Sequence, residues 1–592
     1  MLSDPSQQLS APDDVRAAIE ATLADLRRDR IVERIWQKDH TVWRRDPVEI
    51  SNRLGWLTVP ETMRPHVPEL EAFADEVRAA RFKHVVLLGM GGSSLCPEVF
   101  RATFGSRRGY PELIVLDSTV PAWVRRVTQA IDPARTLFIV SSKSGGTIEV
   151  MSFFKHFWSR VERKKRGEAG ENFIAITDPG TSLGALAAQH GFRHTFLNPS
   201  DIGGRYSALS YFGLAPAALI GMNLPALLDP AMEMMNACRV DVAANPAAWL
   251  GAAMGALAKS GCDKVTFIVS PSIATFGLWA EQLIAESTGK DDRGIVPIAL
   301  EPFAPAAAYS RDRLFAVLRV EEDKNAALDR HVAALKSAGH PVVTLELRDR
   351  YDLGAEFFRW ELATAIAGHI LGIHPFDQPN VQESKDNTRR VLDKYKSTGT
   401  LPDADGAART PPSGSLADFL GQARPGDYAA LMAYVDASPP VAAALAELRA
   451  AILERYHLPT TSGYGPRFLH STGQLHKGGA NNGLFIQLTS HSTRDVAIPG
   501  ELFSFGALAA AQAIGDLASL RSHDRRAIRI DPGSNAASGI RALARSIGGK
   551  ITAAKKLTSR KKASTRSTAP KRKAAAKKSR PPNPKPIRKQ SR

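Results

Sequence analysis

The chain has 592 residues, 44% hydrophobic and 23% charged, which is too long for one core, and its three scattered cysteines exclude a disulfide framework or a Cys-built zinc site. A reducing compartment is expected, and because the first 30 residues lack an apolar signal segment and no run of about 18 apolar residues occurs, a cytoplasmic chain with no membrane contact is expected too. The net charge of +17 is local: 17 Lys and Arg but no Asp or Glu lie from Lys550 to Arg592, and the preceding 549 residues carry 60 basic and 60 acidic residues.

In chain order, Val15 to Trp43 reads as amphipathic helices. Strand candidates follow at His84–Leu88, Glu112–Leu116, Thr136–Val140 and Phe173–Ile176, separated by helical periodicity at Pro97–Thr103 and Thr147–Glu162. A helical bridge over Pro225–Lys259 leads to strands at Val265–Val269, Phe315–Arg319 and Val342–Leu347, then to a long amphipathic helix, Tyr351–Leu371. Strands alternating with helices predict an α/β fold with two tandem parallel-sheet sandwich domains. Lys396 to Gly426 is polar and rich in Pro, Gly and Asp, and reads as a linker or excursion; Asp427 to Gly533 reads as a further compact segment with the strand-like GLFIQLT. The expected division is 1–50 (helical), 51–220 and 221–395 (the two α/β domains), 396–548 (a C-terminal segment) and 549–592, a basic tail too poor in large apolar residues to offset its ordering entropy and so expected to be disordered.

Three stretches carry chemistry. In VVLLGMGGSSLCPEVF a strand runs into Gly89, Gly91, Gly92, Ser93 and Ser94 and then a helix; such a loop suits an anion, although alone it fits a bare strand-to-helix turn equally well. In FIVSSKSGGTIEV, Ser141, Ser142, Lys143, Ser144 and Thr147 cluster at a strand end, more hydroxyls than a helix cap needs, and suit a phosphate cradle. In NPSDIGGRYSALSYFGL, Gly203 and Gly204 let Arg205 approach an oxyanion.

These stretches, followed in order by LIAESTGK and FDQPNVQESK, resemble the glucose-6-phosphate isomerase family, and more narrowly the isomerase half of bifunctional transaldolase and glucose-6-phosphate isomerase proteins. The resemblance covers about Arg30 to Gly515 and implies two sugar-isomerase-type sandwich domains sharing a cleft. It assigns phosphate binding to Ser142, Lys143, Ser144 and Thr147, with Gly92, Ser93 and Gly204 beside the sugar phosphate. Arg205 would face the reacting carbons, Glu286 would shuttle the proton between C1 and C2, and Gln378 and Lys385, seven residues apart, would hold the sugar end.

The family's histidine follows its glutamate by a few tens of residues, but GIVPIALEPFAPAAAYS has none here. A Gly-Gln core beside histidines recurs only later, in FLHSTGQLHKGG, where His470 and His476 compete; His470 is preferred because a short apolar run ends at it and a polar turn follows. His369 and His374 read as structural, and no cofactor or metal is expected, since HExxH, an acidic triplet with calcium spacing and paired cysteines are all missing.

The implied activity is interconversion of glucose 6-phosphate and fructose 6-phosphate, with ring opening by His470 and Lys385 and proton transfer by Glu286 through an enediol or enediolate. The alternatives are an isomerase of broader specificity, for instance toward mannose 6-phosphate, and a non-catalytic sugar-phosphate-binding regulator. A transaldolase barrel would need some 250 residues, which the stretch before the isomerase-like region cannot hold. A phosphorylated hexose is the expected substrate and the resemblance implies a homodimer. The basic tail suits salt-dependent contact with nucleic acid or another polyanion, or is a solubilising extension.

Overall fold

A computed structural model describes residues 7–402, 408–409, 415–490 and 494–548. A short strand, β1 (Gln7–Ser10), begins it, inside the stretch expected to be helical; the helices Asp13–Arg28 and Ile31–Trp36 follow. Next come β2 (His84–Leu88), β3 (Glu112–Leu116), β4 (Thr136–Ser141), β5 (Phe173–Thr177) and β6 (His194–Leu197), which make an all-parallel sheet in the order β3-β2-β4-β5-β6. Both faces are covered: Val85 and Leu87 of β2 pack into one core, whereas Val86 and Leu88 pack with Phe138, Phe153 and Phe157 in another. That double burial is why these strands read as unbroken apolar runs rather than alternating ones.

From β2 the chain moves to β3 on one side and then returns to β4 on the other. The reversal opens a crevice beyond the carboxyl ends of β2 and β4, the usual ligand position in open α/β sheets. The loops Gly89–Ser94 and Ser142–Thr147 leave the sheet there.

The second sheet contains β7 (Lys264–Val269), β8 (Val296–Ile298), β9 (Arg313–Val320) and β10 (Val342–Leu347), in the order β1-β10-β9-β7-β8, with only β1 antiparallel. The helix Leu353–Leu371, expected to be amphipathic, is instead buried on nearly every side, because the helices Leu224–Ala237, Pro246–Lys259 and Phe276–Thr288 pack around it. Its charges survive that burial partly by pairing, as Arg359 does with Glu356 at 3.1 Å.

A third sheet of β11 (Ala408–Arg409), β12 (Tyr428–Tyr434), β13 (Thr460–Tyr464), β14 (Gly483–Thr489) and β15 (Arg526–Asp531) is also parallel, in the order β11-β15-β14-β12-β13. The expected linker over Lys396–Gly426 is therefore corrected in part. Its described residues supply β11 and the helix Ser415–Leu420, whose Leu416, Phe419 and Leu420 enter the core beneath the third sheet. On the opposite face Tyr428, Ala430 and Met432 share a core with Ala285, Val296 and Ile298, so the third sheet packs against the second around the helix Phe276–Thr288. The basic tail lies outside the described residues. No helix among the described residues is long and apolar enough to cross a membrane.

Candidate active site

Two glycine loops set the base of the site by close approach. A Cβ on Gly92 would lie 2.0 Å from the Gly204 carbonyl oxygen, so the first loop and the turn that precedes Arg205 can touch only as bare backbone. Gly91, at φ +55°, meets the His470 carbonyl oxygen in the same way, at 2.5 Å from the Cβ it lacks. Ser93 contributes its carbonyl, which accepts the Ser141 hydroxyl at 3.2 Å.

Arg205 is buried, and every arm of its guanidinium is engaged: Nε donates to Ser287 Oγ at 2.9 Å, Nη1 to Gln378 Oε1 at 2.9 Å, and Nη2 to the carbonyls of Pro375 and Asp377 at 2.6 and 2.9 Å. Nη1 also stands 3.2 Å from Glu286 Oε1. Glu286 lies in the last turn of the helix Phe276–Thr288, and Gln282, four residues earlier on the same face, donates from Nε2 both to Glu286 Oε2 and to the His470 carbonyl, each at 2.9 Å. One amide therefore ties the carboxylate to the segment carrying the histidine.

His470 ends the short turn Arg467–His470 that follows β13, a 3-10 turn rather than the strand end the apolar run suggested. Its Nε2 lies 2.9 Å from Glu149 Oε1. Glu149 is buried in the first turn of the helix Ile148–Lys165; burial pushes its carboxyl up, but His470 and, more weakly, Lys385 outweigh it and hold the group below the ordinary value. His476 goes elsewhere. It is buried in a separate cavity beside Glu281, neither ring nitrogen has a partner, and burial pushes its pKa well down, so the histidine in this cleft is His470.

A cavity of about 360 Å³ is lined by Ser144, Thr147, Glu149, Lys385, His470 and Gln512. The hydroxyls of Ser142 and Thr147 bond to each other at 3.0 Å, and Thr147 makes no side-chain cap, so the first amides of the helix Ile148–Lys165 remain for an anion. Lys143 departs from the cradle expected for it: its ammonium pairs with Asp178 and donates to the Ser200 carbonyl at 3.0 Å. Lys385 is exposed on the helix Pro379–Thr398, for which Gln378 is the N-cap. A buried cation, Lys290, braces the turn that holds Arg205. Its Nζ lies 2.7 Å from Asp377 Oδ1 and donates to the His374 carbonyl at 2.5 Å, and burial together with the nearby guanidinium pushes it down to about 7.

The phosphoglucose isomerase family model matches residues 59–293, which hold both glycine loops, Arg205 and Glu286. A glucose-6-phosphate isomerase of Campylobacter jejuni is 30% identical over 356 residues, which is 52% of this chain and 85% of that protein. The chain belongs to the glucose-6-phosphate isomerase family. A second glucose-6-phosphate isomerase, from Carboxydothermus hydrogenoformans, is 29% identical over 398 residues, covering 58% of this chain and 85% of its own. A hypothetical protein of Thermus thermophilus superposes with a TM-score of 0.57 at 25% identity, over 65% of this chain and all of that one. The fold is also that of a Chlamydia trachomatis glucose-6-phosphate isomerase, with a TM-score of 0.57 at 18% identity over 68% of this chain and 90% of that one.

Of the residues expected from the sequence, the fold brings together Glu286, Arg205, Gln378, His470, Ser144, Thr147 and Lys385, and it adds Glu149, Gln282, Lys290 and Gln512 as neighbours outside that set. The spacing of four before Glu286 would have found Gln282. Nothing local in the sequence marks Gln512, which reaches Glu149 from 363 residues away.

Proposed function

We infer that this isomerase interconverts glucose 6-phosphate and fructose 6-phosphate in the cleft between the first sheet and the helix Phe276–Thr288, with the residues above as its machinery. The observation that carries the reading is the junction at Gln282, which links the Glu286 carboxylate, itself beside Arg205, to the His470 segment. In this reading the phosphate is held by Ser142, Ser144, Thr147 and the adjacent helix amides, and Lys143 reaches it by leaving Asp178. His470 and Lys385 open the ring, one delivering a proton to the ring oxygen and the other relieving the anomeric hydroxyl of its own. Glu286 then takes the C2 proton and returns it at C1. Arg205, a fixed cation 3.2 Å from that carboxylate, stabilises the enediolate oxygens as charge develops.

The narrower likeness to the isomerase half of the bifunctional proteins rests on the ordered motifs alone, and the division at residues 50, 220, 395 and 548 belongs to the same reading. The resemblance also carries a homodimer into it. His470 pairs with Glu149 of its own chain, so in this reading the ring-opening histidine acts within its own subunit. A cytoplasmic location and polyanion binding by the basic tail complete the proposal.

The test is a coupled assay of fructose 6-phosphate conversion by the purified chain beside Glu286→Gln. The variant should lose roughly 10²- to 10⁴-fold in kcat, the usual worth of a general base, while still binding sugar phosphate. Equal activity in the two proteins would remove Glu286 from the chemistry.

A further inference from the structure

Resting on that reading, we propose that Gln512, on the helix Phe505–Ser522, is a positioning residue for the ring-opening histidine: it holds the Glu149 carboxylate so that His470 keeps its proton on Nε2 and exchanges protons through Nδ1. Gln512 is 1% exposed, and its Nε2 donates at 2.6 Å to Glu149 Oε1, the same oxygen that faces His470 Nε2. Its Oε1 accepts from the hydroxyl of buried Thr119 at 2.7 Å. The orientation of the amide follows from its partners. An ionised carboxylate can only accept, so the amide NH₂ must face Glu149, which turns the carbonyl toward the one hydroxyl able to donate to it. Thr119, Gln512, Glu149 and His470 thus form a chain in which each polarity is dictated by the next.

Its consequence is electrostatic as well as geometric. Glu149 is buried, and the charged or titratable groups facing it are His470, the cations Lys385 and Arg389 lining the same cavity, and Tyr434. An amide adds donor character to this set without adding a proton that could move, so the only mobile proton in the chain is the one between Glu149 and His470. The third sheet's segment therefore supplies the histidine and, from a helix beside it, the group that fixes the histidine's tautomer.

The experiment uses the full chain labelled with ¹⁵N-histidine. The His470 ring nitrogens are followed by NMR across pH, alongside the pH dependence of glucose 6-phosphate anomer interconversion, which reads ring opening apart from isomerisation. In Gln512→Glu two buried carboxyls face each other and share one proton, a mobile proton the amide does not supply, so the pH dependence of the His470 ring signals and of the matching limb of ring opening should both change. Gln512→Leu should mix the two His470 tautomers and slow ring opening more than tenfold with KM changed less than threefold. Thr119→Val should follow it in part, and Thr119→Ser should restore wild-type behaviour. Unchanged tautomer and titration in both Gln512 variants, whether or not they melt at lower temperature, would overturn the proposal. The NMR readout needs no turnover, so a wild-type chain without isomerase activity would sink the functional reading while the coupling of Gln512 to His470 is still decided.

Discussion

Glu281 shows how far two carboxylates on one helix can diverge. Glu286 stands 3.2 Å from a guanidinium, whereas Glu281 sits in a cavity that Arg449 and Arg467 line at a greater remove and accepts the Ala299 amide at Oε1 at 3.1 Å, and burial outweighs those cations and pushes it up to about 8. Between about pH 4.5 and 8 the native chain keeps a proton that the unfolded chain releases, so this group costs stability as pH rises, on the order of 5 kcal/mol above both values. Glu281→Gln keeps the acceptor and removes the titration. Its melting temperature should match wild type near pH 5 and exceed it increasingly toward pH 9; parallel curves would refute the burial argument. At this scale the sequence was most legible where a residue sits inside an ordered motif, as Glu286 and Arg205 do. It was least legible where a partner comes from far along the chain. Asp178, which engages Lys143, and Glu149, which selects His470 over His476, are ordinary acids until the fold brings them close.

Among the elements, the turn Arg467–His470 depends on one ion pair. Arg467 donates to both oxygens of fully buried Asp117, from Nε at 2.7 Å and Nη2 at 2.8 Å, which fastens the turn after β13 to the loop after β3. Arg467→Met leaves a buried carboxylate unpaired, at a cost of about 3 to 5 kcal/mol. It also frees the backbone three residues before His470. A lower urea midpoint and a kcat reduced at least tenfold are expected together; a destabilised variant with full kcat would show that the turn holds His470 without this anchor. Seven strands of the first two sheets, β2 to β5, β7, β9 and β10, were visible because each is mainly a run of apolar residues, whereas HTFL (β6) and VPI (β8) are too short to mark a strand; β2, β3, β10 and β14 have the expected limits. The rest of the third sheet was not, since YAALMAY is rich in alanine and TTSGY carries no strong apolar signal. β1 is only four residues long, and its antiparallel pairing with β10 is invisible to any local pattern.

For the whole molecule, charge and catalysis separate along the chain. The part preceding Lys550 is electrically balanced and contains every residue assigned to the site, whereas the excess of 17 positive charges lies beyond it. Truncation after Gly549 should leave kcat/KM within twofold while abolishing salt-dependent retention on DNA or heparin; equal retention by the truncated chain would place the polyanion contact elsewhere. The three sheets are not independent of one another, because the helix Phe276–Thr288 buries one side in the core of the second and places Ala285 in a core with the third.

The pairing of β1 with β10 also has a meaning in time. Gln7 lies opposite Leu345, so β1 has no partner on the ribosome until 338 further residues have been added, roughly 20 to 70 s at ordinary rates of synthesis. Over that interval the first sheet, complete by Leu197, can close without it, and the emerging chain carries an unpaired edge segment that must be kept from the wrong neighbours.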